Sequence, residues 1–208
     1  MALTLYFAPM ACSLASRIAL YEADIPADYR RVTLQSKEIE GGGNYYDVTA
    51  KGQVPTLVLG DGTALTENAA VLQYIADLAP AGALAPAPGG FARYELQSWL
   101  SYVGSEVHKQ VFWTLFAPTS PPEAKEFVKT LIPAKMAYLN GKLAGRTALV
   151  AERFSVADAY LTWALMLLKR IGTDLAAWPN VDAYFAANTE RSAVRRAVSD
   201  EMALQANT

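Results

Sequence analysis

The sequence predicts two domains of different class: an α/β domain built on a mixed, four-stranded sheet, then an all-helical domain. Three observations carry this. The stretch Pro80–Gly90, PAGALAPAPGG, holds three prolines and three glycines. It is neither regular helix nor central strand, and it reads as a linker. Ahead of it, short β-prone runs alternate with helical patterns. Behind it, apolar residues recur only at helical spacing. The predicted boundaries are residues 1–80, a linker at 81–90, and residues 91–208.

In the first domain, Leu3–Phe7 is a strand ended by Pro9. Ser13–Glu22 is a helix with Leu14, Ile18 and Tyr21 on one face, and Pro26 lies beyond its end. Tyr29–Leu34 is a second strand. Ser36–Tyr46 has no clear assignment, and Gly41-Gly42-Gly43 argues for a loop within it. Val54–Leu59 and Thr63–Leu65 flank Gly60-Asp61-Gly62, a hairpin signal. Thr66 is placed to cap a helix in which Val71, Ile75 and Leu78 share a face. In the second domain, Phe91–Phe116 reads as one long helix, Pro121–Leu143 as another and Ser155–Lys169 as a third. The third is apolar on most sides, which places it at the buried centre. Ser155 and Asp158 at its start have the spacing of a capping box. Two shorter helices follow Pro179 and Thr189.

Composition narrows the chemistry. The chain has 208 residues, 52% of them hydrophobic, enough for a core in each domain. Lys and Arg number 18 against 20 Asp and Glu, so no strongly basic face is implied and nucleic acid is not an expected partner. The longest apolar stretch, around Leu161–Leu168, is bounded by Asp158 and Lys169 and is too short for a bilayer. No basic residue precedes Arg17, so a signal peptide's charged start is lacking and no membrane association is expected. One Cys and one His exclude a disulfide framework and a four-ligand zinc site within the chain. No metal is therefore expected. The lone thiol fits a reducing compartment, and the expected location is cytoplasmic.

Cys12 stands where the first strand passes into the first helix, and the unpaired amides and dipole of a helix start favour a thiolate. The alternative is a small buried hydrophobe. Cys12-Ser13-Leu14-Ala15 lacks the second Cys of a C-x-x-C motif, so thiol chemistry there is monothiol and is resolved by an external thiol. On the long helix, at about 100° per residue, Leu96, Trp99, Leu100, Val103, Val107 and Val111 share one face. Ser101, Ser105 and His108 cluster on the opposite side, either as a hydrogen-bonding stripe or as a solvated polar face. A protease-like pairing of Cys12 with His108 lacks a third member. Val54-Pro55 opens a strand. It is either a cis turn presenting the Val54 backbone to a peptide ligand or an ordinary edge proline. Glu67 and Asn68 begin the next helix, whose amides suit a carboxylate while the adjacent Glu suits an ammonium group. Together they fit an α-amino acid end. Simple capping is the alternative.

Five pieces, in this order and spacing, resemble the cytosolic glutathione transferases, most of all the bacterial beta class. They are Ala11–Ser16 (ACSLAS), Lys51–Pro55 (KGQVP), Leu65-Thr66-Glu67, Trp99–Lys109 (WLSYVGSEVHK) and Phe154–Tyr160 (FSVADAY). The resemblance runs essentially end to end. It implies a thioredoxin-like first domain, a homodimer, and a glutathione site at the domain seam beside an open apolar site. The activity it implies is conjugation of the glutathione thiolate to small hydrophobic electrophiles, a detoxifying reaction with glutathione as co-substrate. Thiol–disulfide exchange through Cys12 would be a second activity. Alternatives on the same scaffold are a glutathione-dependent dehalogenase, ether-cleaving enzyme or isomerase, and a non-catalytic binder of hydrophobic ligands.

Carried over by position, Cys12 matches the thiol that contacts or bonds the glutathione sulfur, with Ser13 beside it. Val54, ahead of Pro55, matches the residue whose backbone pairs with the cysteinyl part. Glu67 and Asn68 match the pair holding the γ-glutamyl end, where the family often has Ser or Gly at the second position. Lys37 matches a basic residue near the glycine end. His108 and Lys109 match polar residues near the sulfur and the glycyl carboxylate. Ser101 stands where Asn is common, and Ser105 and Glu106 match positions close to the neighbouring subunit's site. Met10, Phe112, Trp113 and Phe116 are the expected walls of the apolar electrophile site.

Overall fold

The computed structural model describes residues 2–206; residues 1, 207 and 208, which close the predicted domains, lie outside the described residues. The chain forms two compact units. One runs through Ala85 and takes in the chain again from Glu190; the other is Pro86–Thr189.

The first unit contains β1 (Thr4–Phe7), α1 (Ser13–Glu22), β2 (Asp28–Arg31), β3 (Thr56–Val58), β4 (Ala64–Thr66) and α2 (Asn68–Leu78). Its sheet has the order β2-β1-β3-β4. β1 and β2 are parallel, joined across α1, while β1–β3 and β3–β4 are antiparallel. This is the thioredoxin-like mixed sheet. Leu5 and Leu57 face each other across β1 and β3, and with Leu14, Ile18, Leu72 and Ile75 they are fully buried. Two strands are shorter than their apolar runs. β3 begins at Thr56 because Pro55 has no N–H to give a ladder, and the Val54–Pro55 bond is cis. β2 ends at Arg31, after which the chain enters a loop through Gly41, Gly42 and Gly43, all at positive φ. The loop closes on a short turn, Tyr45–Asp47. The hydroxyl of buried Tyr45 is hydrogen-bonded to Gln53 O at 2.9 Å and to Thr56 Oγ1 at 2.7 Å, fixing the approach to Pro55.

The structure corrects the sequence-based boundary at the C-terminus. The last helix, α8 (Ser192–Ala206), packs on α1 in the first unit and does not belong to the helical one. Its cover explains why α1 is buried all along Ser13–Leu20, where periodicity assigned one apolar face. Arg191 grips Glu22 with two bonds of 2.6 and 2.7 Å, and the Tyr21 hydroxyl donates to Asp200 at 2.8 Å. Leu78, assigned to the packed face of α2, is instead exposed.

The second unit holds α3 (Phe91–Tyr102), which continues without a break through Val103–Trp113 into α4 (Thr114–Phe116); then α5 (Pro122–Lys142), α6 (Val156–Arg170) and α7 (Pro179–Thr189). The Val103–Trp113 stretch is π-helical. α6 is the buried centre, covered from Val156 to Leu165. Its start is built around Asp158, fully buried. Oδ2 accepts from the Ser155 N–H and hydroxyl at 2.8 and 2.6 Å, and Oδ1 from the Leu149 N–H and Tyr184 hydroxyl at 2.8 and 2.7 Å. Among the described residues, no helix is long and apolar enough to cross a membrane.

Candidate functional site

In the first unit, the short loop after β1 folds back through an Ala11 N–H to Ala8 O bond of 3.0 Å and delivers Cys12 to the start of α1. Cys12 is buried, and its Sγ donates to the Val54 carbonyl at 3.2 Å. The thiol therefore lies against the cis Val54–Pro55 bond. The carbonyl expected to face a peptide ligand is taken by that thiol. Ser13 requires a correction: its hydroxyl is fully buried and ties to the Ala8 backbone with two contacts of 3.3 Å. Cys12 already has helical backbone angles, so the next side chain turns inward under the loop. What Ser13 leaves at the helix start is a backbone N–H.

Glu67 is the half-in residue before α2, a place expected for Thr66, which instead ends β4. Its φ of 73° with ψ of 116° is a conformation that costs an L-residue about 1–3 kcal/mol. Such strain concentrates at functional sites. The Glu67 carboxylate is exposed and pairs with the Lys51 ammonium. Asn68, expected to hold a ligand's amino-acid end, turns its side chain inward. Its Oδ1 accepts from Ser16 Oγ at 2.9 Å, and its Nδ2 is buried without a hydrogen-bond partner. Its offering at the helix start is thus the backbone N–H. Lys37, at φ 63°, donates from Nζ to Gly52 O at 2.8 Å and braces the same segment from outside.

One further group was missed. The Met10 N–H, two residues ahead of Cys12, donates to Glu201 Oε2 at 2.6 Å. Glu201 is fully buried on α8, and its Oε1 stands 3.0 Å from Arg17 Nε. The Arg17 guanidinium lies 4.3 Å from the Phe7 ring centroid and 3.9 Å from that of Tyr29. Burial pushes the Glu201 carboxyl up to about 7, against the opposing pull of Arg17 and the Met10 amide. A signal did exist: Val194, Ala197 and Glu201 follow helical spacing, which puts a lone acid on an apolar face.

In the second unit, the expected stripe of Ser101, Ser105 and His108 is split. Ser101 and Ser105 are exposed, with Ser105 Oγ bonded to Ser101 O at 3.0 Å. His108 is half-buried, and its Nδ1 shares a 2.7 Å hydrogen bond with the Tyr160 hydroxyl. The cause is winding. A π-helix turns once in about 4.4 residues, so the three-residue step from Ser105 to His108 falls about 115° short of a full turn instead of about 60°. The same winding aligns residues four apart. Val103, Val107 and Val111 are all buried, and His108 and Phe112 both face α6. Burial, helped by the neighbouring Lys109 charge, lowers His108 to about 4. Lys109 is exposed, with Nζ 5.0 Å from the Trp113 ring centroid. Glu106 is held by Lys135 at 3.0 Å within its own chain. Phe112 is corrected from a wall of the apolar site to core: it is buried against Trp163, 5.7 Å between ring centroids. Trp113 and Phe116 are exposed, and Met10 is half-buried in the first unit.

A β2-β1-β3-β4 sheet that sets one thiol against a cis X-Pro bond, followed by a helical unit, defines a thioredoxin-like class of two-domain protein. A family model for the glutathione S-transferase N-terminal domain matches residues 9–78, and one for the C-terminal domain matches residues 104–191. The chain belongs to the glutathione S-transferase family, with its bacterial beta class. It is 38% identical to glutathione S-transferase GstA of Escherichia coli O157:H7, covering 95% of this chain and 98% of that one. Among solved structures, a sphingomonad glutathione S-transferase complexed with glutathione is 42% identical with a TM-score of 0.90, covering 95% of this chain and 98% of that one. The beta class enzyme of Sphingomonas chungbukensis is 40% identical with a TM-score of 0.91 and the same coverage. This chain is accordingly a transferase that uses glutathione.

Proposed function

We propose that the chain conjugates the glutathione thiolate to small hydrophobic electrophiles as a homodimer in the cytoplasm, and that it also exchanges disulfides through Cys12. The observation that carries this reading is the Cys12 Sγ held 3.2 Å from the Val54 carbonyl, in the same unit as the strained, acidic start of α2 at Glu67. The first would receive the ligand's cysteinyl part and the second its γ-glutamyl end. Trp113 and Phe116 are the candidates for contact with the electrophile. A detoxifying role follows from that substrate class.

Thiol ionisation alone supplies little. Lowering a thiol pKa from about 8.5 by two units raises the thiolate fraction at pH 7 about 25-fold. The lost intrinsic nucleophilicity returns about 6- to 10-fold of that gain. Most acceleration must come from holding thiolate and electrophile together in a desolvated site. In exchange, the Cys12 thiolate attacks the glutathione sulfur of a disulfide between glutathione and another thiol; that S–S bond breaks, a mixed disulfide of Cys12 with glutathione forms and the other thiol leaves as its thiolate. A second glutathione thiolate then attacks the mixed disulfide and regenerates Cys12 with oxidised glutathione. Conjugation needs only the glutathione thiolate. Cys12→Ala is therefore expected to abolish exchange and keep part of the conjugation activity. Intact-protein mass spectrometry after oxidised-glutathione treatment is expected to show one reducible adduct on the wild type and none on the variant. A wild type that never takes up glutathione would refute the role of Cys12.

A further inference from the structure

His108 is the chain's one histidine, and its Nδ1 is hydrogen-bonded to the Tyr160 hydroxyl. The ring is boxed by α6. Its centroid lies 4.8 Å from that of Trp163 and 5.9 Å from that of Tyr160, both nearly edge-on, and 6.5 Å from that of Phe112 on its own helix. The Tyr160 phenol packs beside Gly104: a Cβ there would stand 3.7 Å from the Tyr160 oxygen, in ordinary contact. The π winding puts Gly104 and His108 four residues apart on the side that meets Tyr160. The 2.7 Å separation of His108 Nδ1 from that oxygen is the usual length for a hydroxyl donor and the short limit for a ring N–H donor. A phenol that donates to an accepting Nδ1 fits that length.

We propose that Tyr160 is a positioning residue for the transferase reaction, holding His108 in the tautomer protonated at Nε2 so that this nitrogen is a fixed hydrogen-bond donor. Which nitrogen of a histidine carries the proton is set by the bond the other nitrogen makes. With burial lowering His108 to about 4, the ring is neutral near pH 7 and carries one N–H proton. The role that follows is donation toward negative charge, such as a thiolate, and not proton abstraction. The proposal rests on the assignment of His108 to the glutathione sulfur. Tyr160 lies outside every residue set assigned to the ligand above.

The single histidine makes the test direct. In ¹⁵N-labelled protein, two-bond proton–nitrogen correlation spectra contain one imidazole. The wild type is expected to show a protonated Nε2 and an unprotonated Nδ1. Tyr160→Phe keeps the ring and removes the hydroxyl; it is expected to move both nitrogen signals toward the averaged positions of a tautomer mixture. Loss of one such hydrogen bond is expected to lower kcat for conjugation about 5-fold, with the glutathione KM changed less than about twofold. His108→Gln, whose amide keeps a donor near the Nε2 position, is expected to retain more activity than His108→Ala. A wild type protonated at Nδ1, or a Tyr160→Phe spectrum unchanged from wild type, overturns the proposal while leaving His108 in the reaction. Full conjugation activity in His108→Ala removes His108 from the reaction, and the positioning role of Tyr160 with it.

Discussion

Glu67 combines two properties that rarely meet in a bland surface residue: a strained backbone and an exposed carboxylate. If it binds the remote ammonium of glutathione, its interaction is made in the ground state and the transition state alike. Glu67→Gln is then expected to raise the glutathione KM several-fold while lowering kcat less than about twofold, because uniform binding appears in KM. Initial rates over a glutathione series check this, and an unchanged KM refutes the assignment. The placement of Cys12, Val54 and Glu67 was legible in the sequence because it follows from backbone position: a helix start, a proline, a strand end. Ser13, Asn68 and Phe112 were not, because side-chain direction depends on what packs above and below. Ser13 turns under the Ala8 loop, Asn68 under α2 to Ser16, and Phe112 into Trp163.

Helix ends were read well, since prolines, glycines and the Ser155–Asp158 pair punctuate the chain independently of its tertiary context. Asp158 does more than its local motif states, because it also anchors Leu149 and Tyr184 from outside α6. Asp158→Ala would orphan the Leu149 and Ser155 N–H groups and the Tyr184 hydroxyl, each at about 1–3 kcal/mol. The expected destabilisation is about 3–5 kcal/mol, seen as a lower urea midpoint with little change in slope. Asp158→Asn keeps one carbonyl oxygen and should cost less. A loss under about 1 kcal/mol for the alanine variant would show the network to be dispensable. The π winding of Val103–Trp113 is the element the sequence hid. Apolar residues at 103, 107 and 111 fit either winding, and what separates the two is the parting of exposed Ser105 from His108, which docks on α6.

The return of the last helix to the first unit has a consequence for pH. It was illegible from composition, because α8 is helical like its neighbours in sequence and only its docking on α1 shows which core it completes. That docking buries Glu201 against Arg17 and ties it to the loop ahead of Cys12. Its folded pKa is raised from the ordinary 4.5 to about 7. For an acid with a raised folded value, the stabilising contribution is fully present below the unfolded pKa and is lost as pH rises through the folded one. Glu201→Gln removes this titration. Whatever the substitution costs through Arg17 or Met10 is the same at every pH, and the opposite acid sensitivity of His108 is common to both proteins. The difference in unfolding free energy, variant minus wild type, is therefore expected to move toward the variant by about 2–3 kcal/mol between pH 5 and pH 8. Urea unfolding of both proteins at the two pH values measures it. A difference that stays constant would mean that Glu201 is ionised throughout, and that the Arg17 ion pair outweighs its burial.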